Sequence, residues 1–206
     1  MRIYGCLRTR SVRALWALEE AGAQYDYVHV DLRKGEGRKP PFLQINPGGK
    51  VPALVDGEVV LTESGAICVY IAETFPAAKL IPAAVRERAQ CRQWCFFVLS
   101  ELEQPLWTLA KHTFALPEQR RVPAIMDTAR WEFGKAADVL AQGLGDREFI
   151  AGDAFSIADL LIAHTLSWAQ AHNIELHRSL QSYAERMLSR PALARAQQRE
   201  QLAARS

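Results

Sequence analysis

The chain has 206 residues, with 25 Lys and Arg against 23 Asp and Glu, a formal net charge of +2, and the two signs interspersed. Nucleic-acid and polybasic membrane surfaces need clustered charge of one sign, so this balance points to a small molecule or another protein as partner, with no nucleic acid and no membrane expected. The length suffices for one large domain or two modest ones with real cores. No apolar run approaches the roughly 18 residues a membrane helix requires, and Met1 to Leu7 is too short and too polar for a secretory signal, which predicts a cytoplasmic protein. Cys6, Cys68, Cys91 and Cys95 show no Cys-x-x-Cys spacing and are expected to be reduced.

Before about residue 80, short β-rich pieces (2–5, 25–30, 53–55 and 59–61) alternate with helical patterns at 11–22 and 65–74. This order predicts βαβ followed by a hairpin, turned at Asp56-Gly57, and so an arrangement that resembles thioredoxin. Leu80-Ile81-Pro82 reads as a linker, and beyond it only long helical stretches appear, separated by Pro117, Pro123, Gly143-Leu144-Gly145 and Pro191. The expected fold class is therefore α/β plus all-α: a thioredoxin-like domain over 1–79, a linker over 80–86 and an all-helical domain over 87–206. The first long helix of the second part is predicted over 85–114 with a kink at Pro105. In Phe155-Ser156-Ile157-Ala158-Asp159-Leu160, Ser156 as N-cap and Asp159 three residues on form a capping box, flanked by Phe155 and Leu160 as a hydrophobic staple. That makes Asp159 a stability residue, with a cost on replacement of about 1 kcal/mol or more.

Two stretches carry ligand chemistry: Asn46-Pro47-Gly48-Gly49-Lys50-Val51-Pro52-Ala53-Leu54 and Leu61-Thr62-Glu63-Ser64-Gly65-Ala66-Ile67. Val51 precedes Pro52, where the chain is extended and a cis bond is tolerated, which would turn the Val51 N–H and C=O outward toward an extended peptide. Glu63-Ser64 reads as a helix start with Ser64 as cap, and the free N–H groups there attract a carboxylate. Glu63 beside it accepts an ammonium group. The pair suits an α-amino-acid head, and a tripeptide fits both stretches together.

These two segments resemble the N-P-x-G-K-V-P-x-L and [E/Q]-S-x-A-I segments of cytosolic glutathione transferases. Ile3-Tyr4-Gly5 with Arg8 to Gly22 is similar to the first strand and helix of that family, and Phe155 to Asp159 to its core capping segment. The resemblance covers nearly the whole chain and is nearest to the bacterial, serine/threonine-type, theta-like members. It implies glutathione as co-substrate, its sulfur over the first strand-to-helix turn, and thiolate stabilisation by a hydroxyl and helix-end N–H groups. Counting back from Arg13 ranks Thr9 first for that role, Ser11 second and Tyr4 third. Arg10 and its neighbour Arg8 flank Thr9. Lys50 reaches the glycyl carboxylate in the resemblance, and Gly37 stands where serine-type members often carry a histidine, so Arg38 or Lys39 is expected to replace that contact. Thr9, Arg10, Lys39, Lys50, Val51, Pro52, Glu63 and Ser64 thus form the implied glutathione set.

The same resemblance places the hydrophobic substrate against Trp107, Lys111 and Phe114. It also implies a homodimer, with Ala66, Cys68, Val69 and Glu73 on one side and Arg88, Cys91 and Arg92 on the other. No metal is expected, because Cys91 and Cys95 stand four apart without further ligands and the histidines are scattered. The implied function is a glutathione S-transferase that conjugates the thiolate to hydrophobic electrophiles. Two alternatives stand beside it: a non-catalytic binding or stress-response member, and a cysteine-type thiol–disulfide exchanger that uses Cys6.

Overall fold

A computed structural model describes residues 1–205. The first strand, β1 (Arg2–Gly5), alternates its side chains between a buried and a more open face, and Ile3 goes wholly into the core. The first helix, α1 (Ser11–Glu20), follows and is buried from Ser11 to Leu18, so that it lies as a core element between other layers. Next come β2 (Asp26–His29), the short helix α2 (Pro40–Leu43) and the hairpin of β3 (Ala53–Asp56) and β4 (Val59–Thr62), whose turn has Gly57 at φ +59°. A side chain there would strain the backbone, which is why Asp-Gly marks the turn. The sheet order is β2-β1-β3-β4, with β1 parallel to β2 and antiparallel to β3. Helix α3 (Ser64–Thr74) packs on α1. This four-stranded mixed sheet with its helices is the expected thioredoxin-like arrangement.

The described residues divide into two compact units, Met1–Ile81 with the segment from Ser189 on, and Pro82–Leu188. The helical domain expected over 87–206 therefore ends, as a compact body, at Leu188. The last helix, α9 (Pro191–Ala203), packs on α1 and β2 instead. Its partners are specific: Arg190, the residue before it, donates to both oxygens of Glu20 at 2.6 and 2.9 Å, and Arg195 donates to Glu19 at 2.8 Å.

The second unit is all helical. Its elements are α4 (Val85–Phe97), α5 (Glu103–Ala110), α6 (Ile125–Leu144), α7 (Ile157–Ala171) and α8 (Arg178–Leu188), with α9 (Pro191–Ala203) following in the chain. The run from Val85 to Ala115 is continuous, but it widens to π geometry at Val98–Leu102 and again at Lys111–Ala115. The irregularity expected at Pro105 is thus displaced to the turn before it. The proline ring crowds the carbonyl four residues back, which is Glu101, inside the first π turn. The capping box is present, with Ser156 as N-cap and Asp159 at N3, and both staple residues, Phe155 and Leu160, are buried. No helix among the described residues is long and apolar enough to cross a membrane.

Candidate active site

Gly5 ends β1 because nothing larger fits: a Cβ there would stand 2.7 Å from Ser11 Cβ and 2.8 Å from Tyr27 Cε2. The close approach folds the turn back on itself, through Arg8 in the left-handed region at φ +59°. Thr9 and Ser11 meet at its centre, their oxygens 2.7 Å apart. The Cys6 N–H donates to Ser11 Oγ at 3.1 Å, the Thr9 hydroxyl donates to the Cys6 carbonyl at 2.7 Å, and the Ser11 N–H donates to Thr9 Oγ1 at 3.2 Å. With the Thr9 proton on that carbonyl, the proton between the two hydroxyls is Ser11's. The chain of donors therefore runs from Ser11 to Thr9 to Cys6. Ser11 is fully buried, whereas Thr9, Arg10 and the free thiol of Cys6 are half-buried at the surface of the turn. Tyr4 is elsewhere occupied: it packs with Ile45 and Val51 against Val30, Phe42 and Ala53, its ring 6.0 Å from that of Phe42.

The second stretch is shaped by Asn46, a buried side chain that sequence reading passes over. Its Nδ2 donates to the Lys50 carbonyl at 2.6 Å and its Oδ1 accepts the Gly48 N–H at 2.9 Å, an Asx-type clamp on the loop. Gly49 has φ +62°, and a Cβ on it would meet the Gly37 carbonyl at 2.7 Å, while one on Gly37 would meet the Gly49 carbonyl at 2.8 Å. The two backbones touch, so no side chain can stand at position 37. Arg38 crosses the loop beside Gly49, and Lys39 is exposed at the start of α2. Lys50 is exposed, Pro52 is buried, and the Val51-Pro52 bond is cis. Among the described residues, neither the N–H nor the C=O of Val51 makes a backbone hydrogen bond.

The start of α3 differs from expectation in one respect. Glu63, not Ser64, holds the cap position, with an exposed side chain and a backbone at φ +67°, ψ +116°. A non-glycine residue there is strained, a state that persists where surrounding structure imposes it. Ser64 is the first helical residue and is buried, and its hydroxyl accepts from Arg13 Nη1 at 3.3 Å. Arg13 is itself fully buried, and its carbonyl accepts the Cys68 thiol at 3.6 Å. Burial pushes that thiol up to about 12, so Cys68 is an inert core group. The α1 helix thus presents a guanidinium beneath the turn that begins α3. In the sequence Arg13 serves only to set the register of Thr9 and Ser11, and its contact with Ser64 is not legible there.

The family model of the glutathione S-transferase N-terminal domain matches residues 1–73, and that of the glutathione S-transferase C-terminal domain matches residues 104–191. The chain is a glutathione S-transferase family member. It is 32% identical over 202 residues to glutathione S-transferase F10 of Arabidopsis thaliana, covering 93% of this chain and 94% of that protein. It is also 32% identical over 194 residues to the disulfide-bond oxidoreductase YfcG of Escherichia coli K12, covering 90% and 88%. Among solved structures, a sphingomonad glutathione S-transferase complexed with glutathione superposes with a TM-score of 0.86 at 32% identity, over 98% of this chain and all of that one.

In this family member the residues implied for the hydrophobic substrate lie in the second unit. Trp107 on α5 and Lys111 are half-buried, and Phe114, in the π segment, is 64% exposed. Trp107 and Lys111 stand four apart at the end of α5 and share a side of the helical run, while Phe114 follows within the π turn. Trp94 is committed to packing: its ring meets Phe97 edge-on at 5.3 Å and lies so close to Gly143 that a side chain there would clash. Cys68 and Cys91, named among the implied dimer contacts, are buried within the chain.

Proposed function

We propose that this chain binds glutathione in its first unit and stabilises the thiolate for transfer to hydrophobic electrophiles, as a serine/threonine-type, theta-like member. The observation that carries the reading is the set formed by the open Val51 backbone, the exposed Glu63 carboxylate and Ser64 over buried Arg13. Those groups match an extended peptide, an ammonium and a carboxylate in turn. Lys50 and either Arg38 or Lys39 hold the glycyl carboxylate, with Arg38, against Gly49, the nearer of the two to the loop. Arg10 beside Thr9 adds positive potential. Trp107, Lys111 and Phe114 receive the electrophile. The molecule works as a cytoplasmic homodimer through Ala66, Val69 and Glu73 with Arg88 and Arg92, and a single-chain mass in sedimentation at micromolar concentration would remove that element.

At the sulfur, Thr9 is the donor. Binding a thiolate turns its hydroxyl from the Cys6 carbonyl to sulfur, while Ser11 keeps donating to Thr9 Oγ1 and polarises it. Thr9→Ala is expected to raise the apparent pKa of bound glutathione by about one to two units, because a hydrogen bond to a charged group contributes about 1.5–3 kcal/mol. Ser11→Ala is expected to shift it less. Thiolate absorbance against pH reads both, and a normal titration in Thr9→Ala with an impaired one in Ser11→Ala assigns the role to Ser11.

One observation favours a second reading. Cys6 lies half-exposed in the same turn as a free thiol, and the E. coli relative is named a disulfide-bond oxidoreductase. Under this reading the Cys6 thiolate attacks a glutathione disulfide, and the outgoing glutathione leaves as thiolate. If neither hydroxyl variant changes the titration while Cys6→Ala abolishes disulfide exchange, the exchange reading replaces conjugation.

A further inference from the structure

The contact of α9 with β2 and α1 contains one carboxyl unlike its neighbours. Glu19 is matched by Arg195, Arg199 and the Tyr25 hydroxyl, and Glu20 by Arg190. Glu200 instead continues the buried stripe of Ala192, Leu193 and Ala196, is 3% exposed, and has no hydrogen-bond partner for Oε1. Near it stands the Tyr27 hydroxyl, also buried and also without a partner. Tyr27 is the residue whose ring presses on Gly5, directly before the Cys6 turn. Two buried polar groups on facing elements, both unsatisfied, are a cost that a fold retains only against some return.

We propose that Glu200 is a proton-operated latch: as the neutral acid it keeps α9 docked on β2 beside the Tyr27 hydroxyl, and as the carboxylate it releases α9 from the strand behind the Cys6 turn. The geometry is what a neutral acid needs and a carboxylate does not tolerate, a buried site at which, among the described residues, no Lys or Arg side chain is aimed. Arg195 and Arg199 are turned to Glu19, Arg199 also lies 4.9 Å from the Tyr25 ring centroid, and Arg190 is held by Glu20. From β2 and its approach the groups on the same side are Tyr25, Tyr27 and His29, with Asp26 on the exposed side, and from the end of β1 the group is Cys6.

Burial pushes the Glu200 carboxyl up to about 8 from an ordinary 4.5. The docked helix therefore keeps a proton that the released helix gives up. Stability from this group is fully present below about 4.5 and is lost as pH rises toward 8. Glu19 works in the opposite sense: burial raises its carboxyl, but the Tyr25 hydroxyl and its arginine partners outweigh burial and hold it below the ordinary value. Burial raises both tyrosines, which leaves them neutral in the same range.

Hydrogen exchange of α9 amides at pH 5.5, 6.5 and 7.5, corrected for the intrinsic rate, tests the latch. Protection in the parent is expected to fall about tenfold per pH unit, the signature of one proton released on opening. Glu200→Gln, with the same shape and no proton to lose, is expected to give a flat profile, and Glu200→Met serves equally if the amide variant folds poorly. His29→Gln is expected to keep the parent's slope. Parallel slopes in the parent and both Glu200 variants, or a slope abolished by His29→Gln instead, overturn the proposal.

Discussion

Asp159→Ala is expected to lower the unfolding free energy by about 3–5 kcal/mol, well beyond the loss of a helix cap, because several buried donors lose their acceptor together. Oδ2 accepts the Ser156 N–H at 2.8 Å and the Ser156 hydroxyl at 2.7 Å, while Oδ1 accepts the Ile150 N–H at 2.8 Å and the Tyr183 hydroxyl at 2.6 Å. The side chain is fully buried, so water cannot replace it without opening α7. At roughly 2–4 °C per kcal/mol for a chain of this size, the melting temperature should drop by about 6–20 °C in calorimetry. Tyr183→Phe removes one donor with its acceptor still satisfied and should cost only about 1 kcal/mol.

The pH dependence gives a second handle. Burial, the largest influence, raises the Asp159 carboxyl above its ordinary value against the pull of its donors. Its contribution is therefore greatest at low pH and declines as pH passes upward through the raised value, the reverse of a cation-paired acid. Asp159→Asn should remove that decline while keeping the volume. A melting curve for Asp159→Ala within about 1 kcal/mol of the parent would show that the capping residues manage without the central carboxylate.

The contrast between those two magnitudes marks where sequence stops being informative. Ser156 and Asp159 are three apart, so the capping box is a local pattern and was legible. Ile150 and Tyr183 reach the same carboxylate from 9 and 24 residues away, and nothing in their spacing announces it. The same division runs through the site. Pro52 disclosed an extended loop and Asp56-Gly57 disclosed a hairpin, because each is a constraint on its own backbone, whereas Gly5 is fixed by Ser11 and Tyr27, which only the fold brings to it. Ser64 was misjudged as a cap because its real partner, Arg13, lies 51 residues earlier and enters from another helix. The buried stripe on α9 predicts that the helix is covered, but periodicity carries no address, so its place against α1 and β2 could not be read. The π turns at 98–102 and 111–115 have no compositional signature apart from the proline that follows the first.

Arg13→Met should weaken glutathione binding by about 2–3 kcal/mol, roughly 30- to 150-fold, although under the proposed reading Arg13 never touches the ligand. The substitution keeps the aliphatic stem and the buried volume but removes the donor at 3.3 Å from Ser64 Oγ. Ser64 is then free to rotate at the first turn of α3, where its orientation decides whether hydroxyl and N–H groups point at the same carboxylate. The guanidinium also supplies positive potential beneath that helix end, an effect strengthened by its complete burial. Arg13→Lys restores the charge without the planar fork and should recover only part of the affinity. Ser64→Ala and Glu63→Ala should each cost about 1–3 kcal/mol, but only the first should be non-additive with Arg13→Met, since the proposed reading gives Glu63, which is exposed, a separate contact with the ammonium. Calorimetric titration of the four variants and the Arg13/Ser64 double variant resolves this. If folded Arg13→Met binds glutathione like the parent, Ser64 is oriented without it, and the buried arginine belongs to the stability of the α1–α3 contact alone.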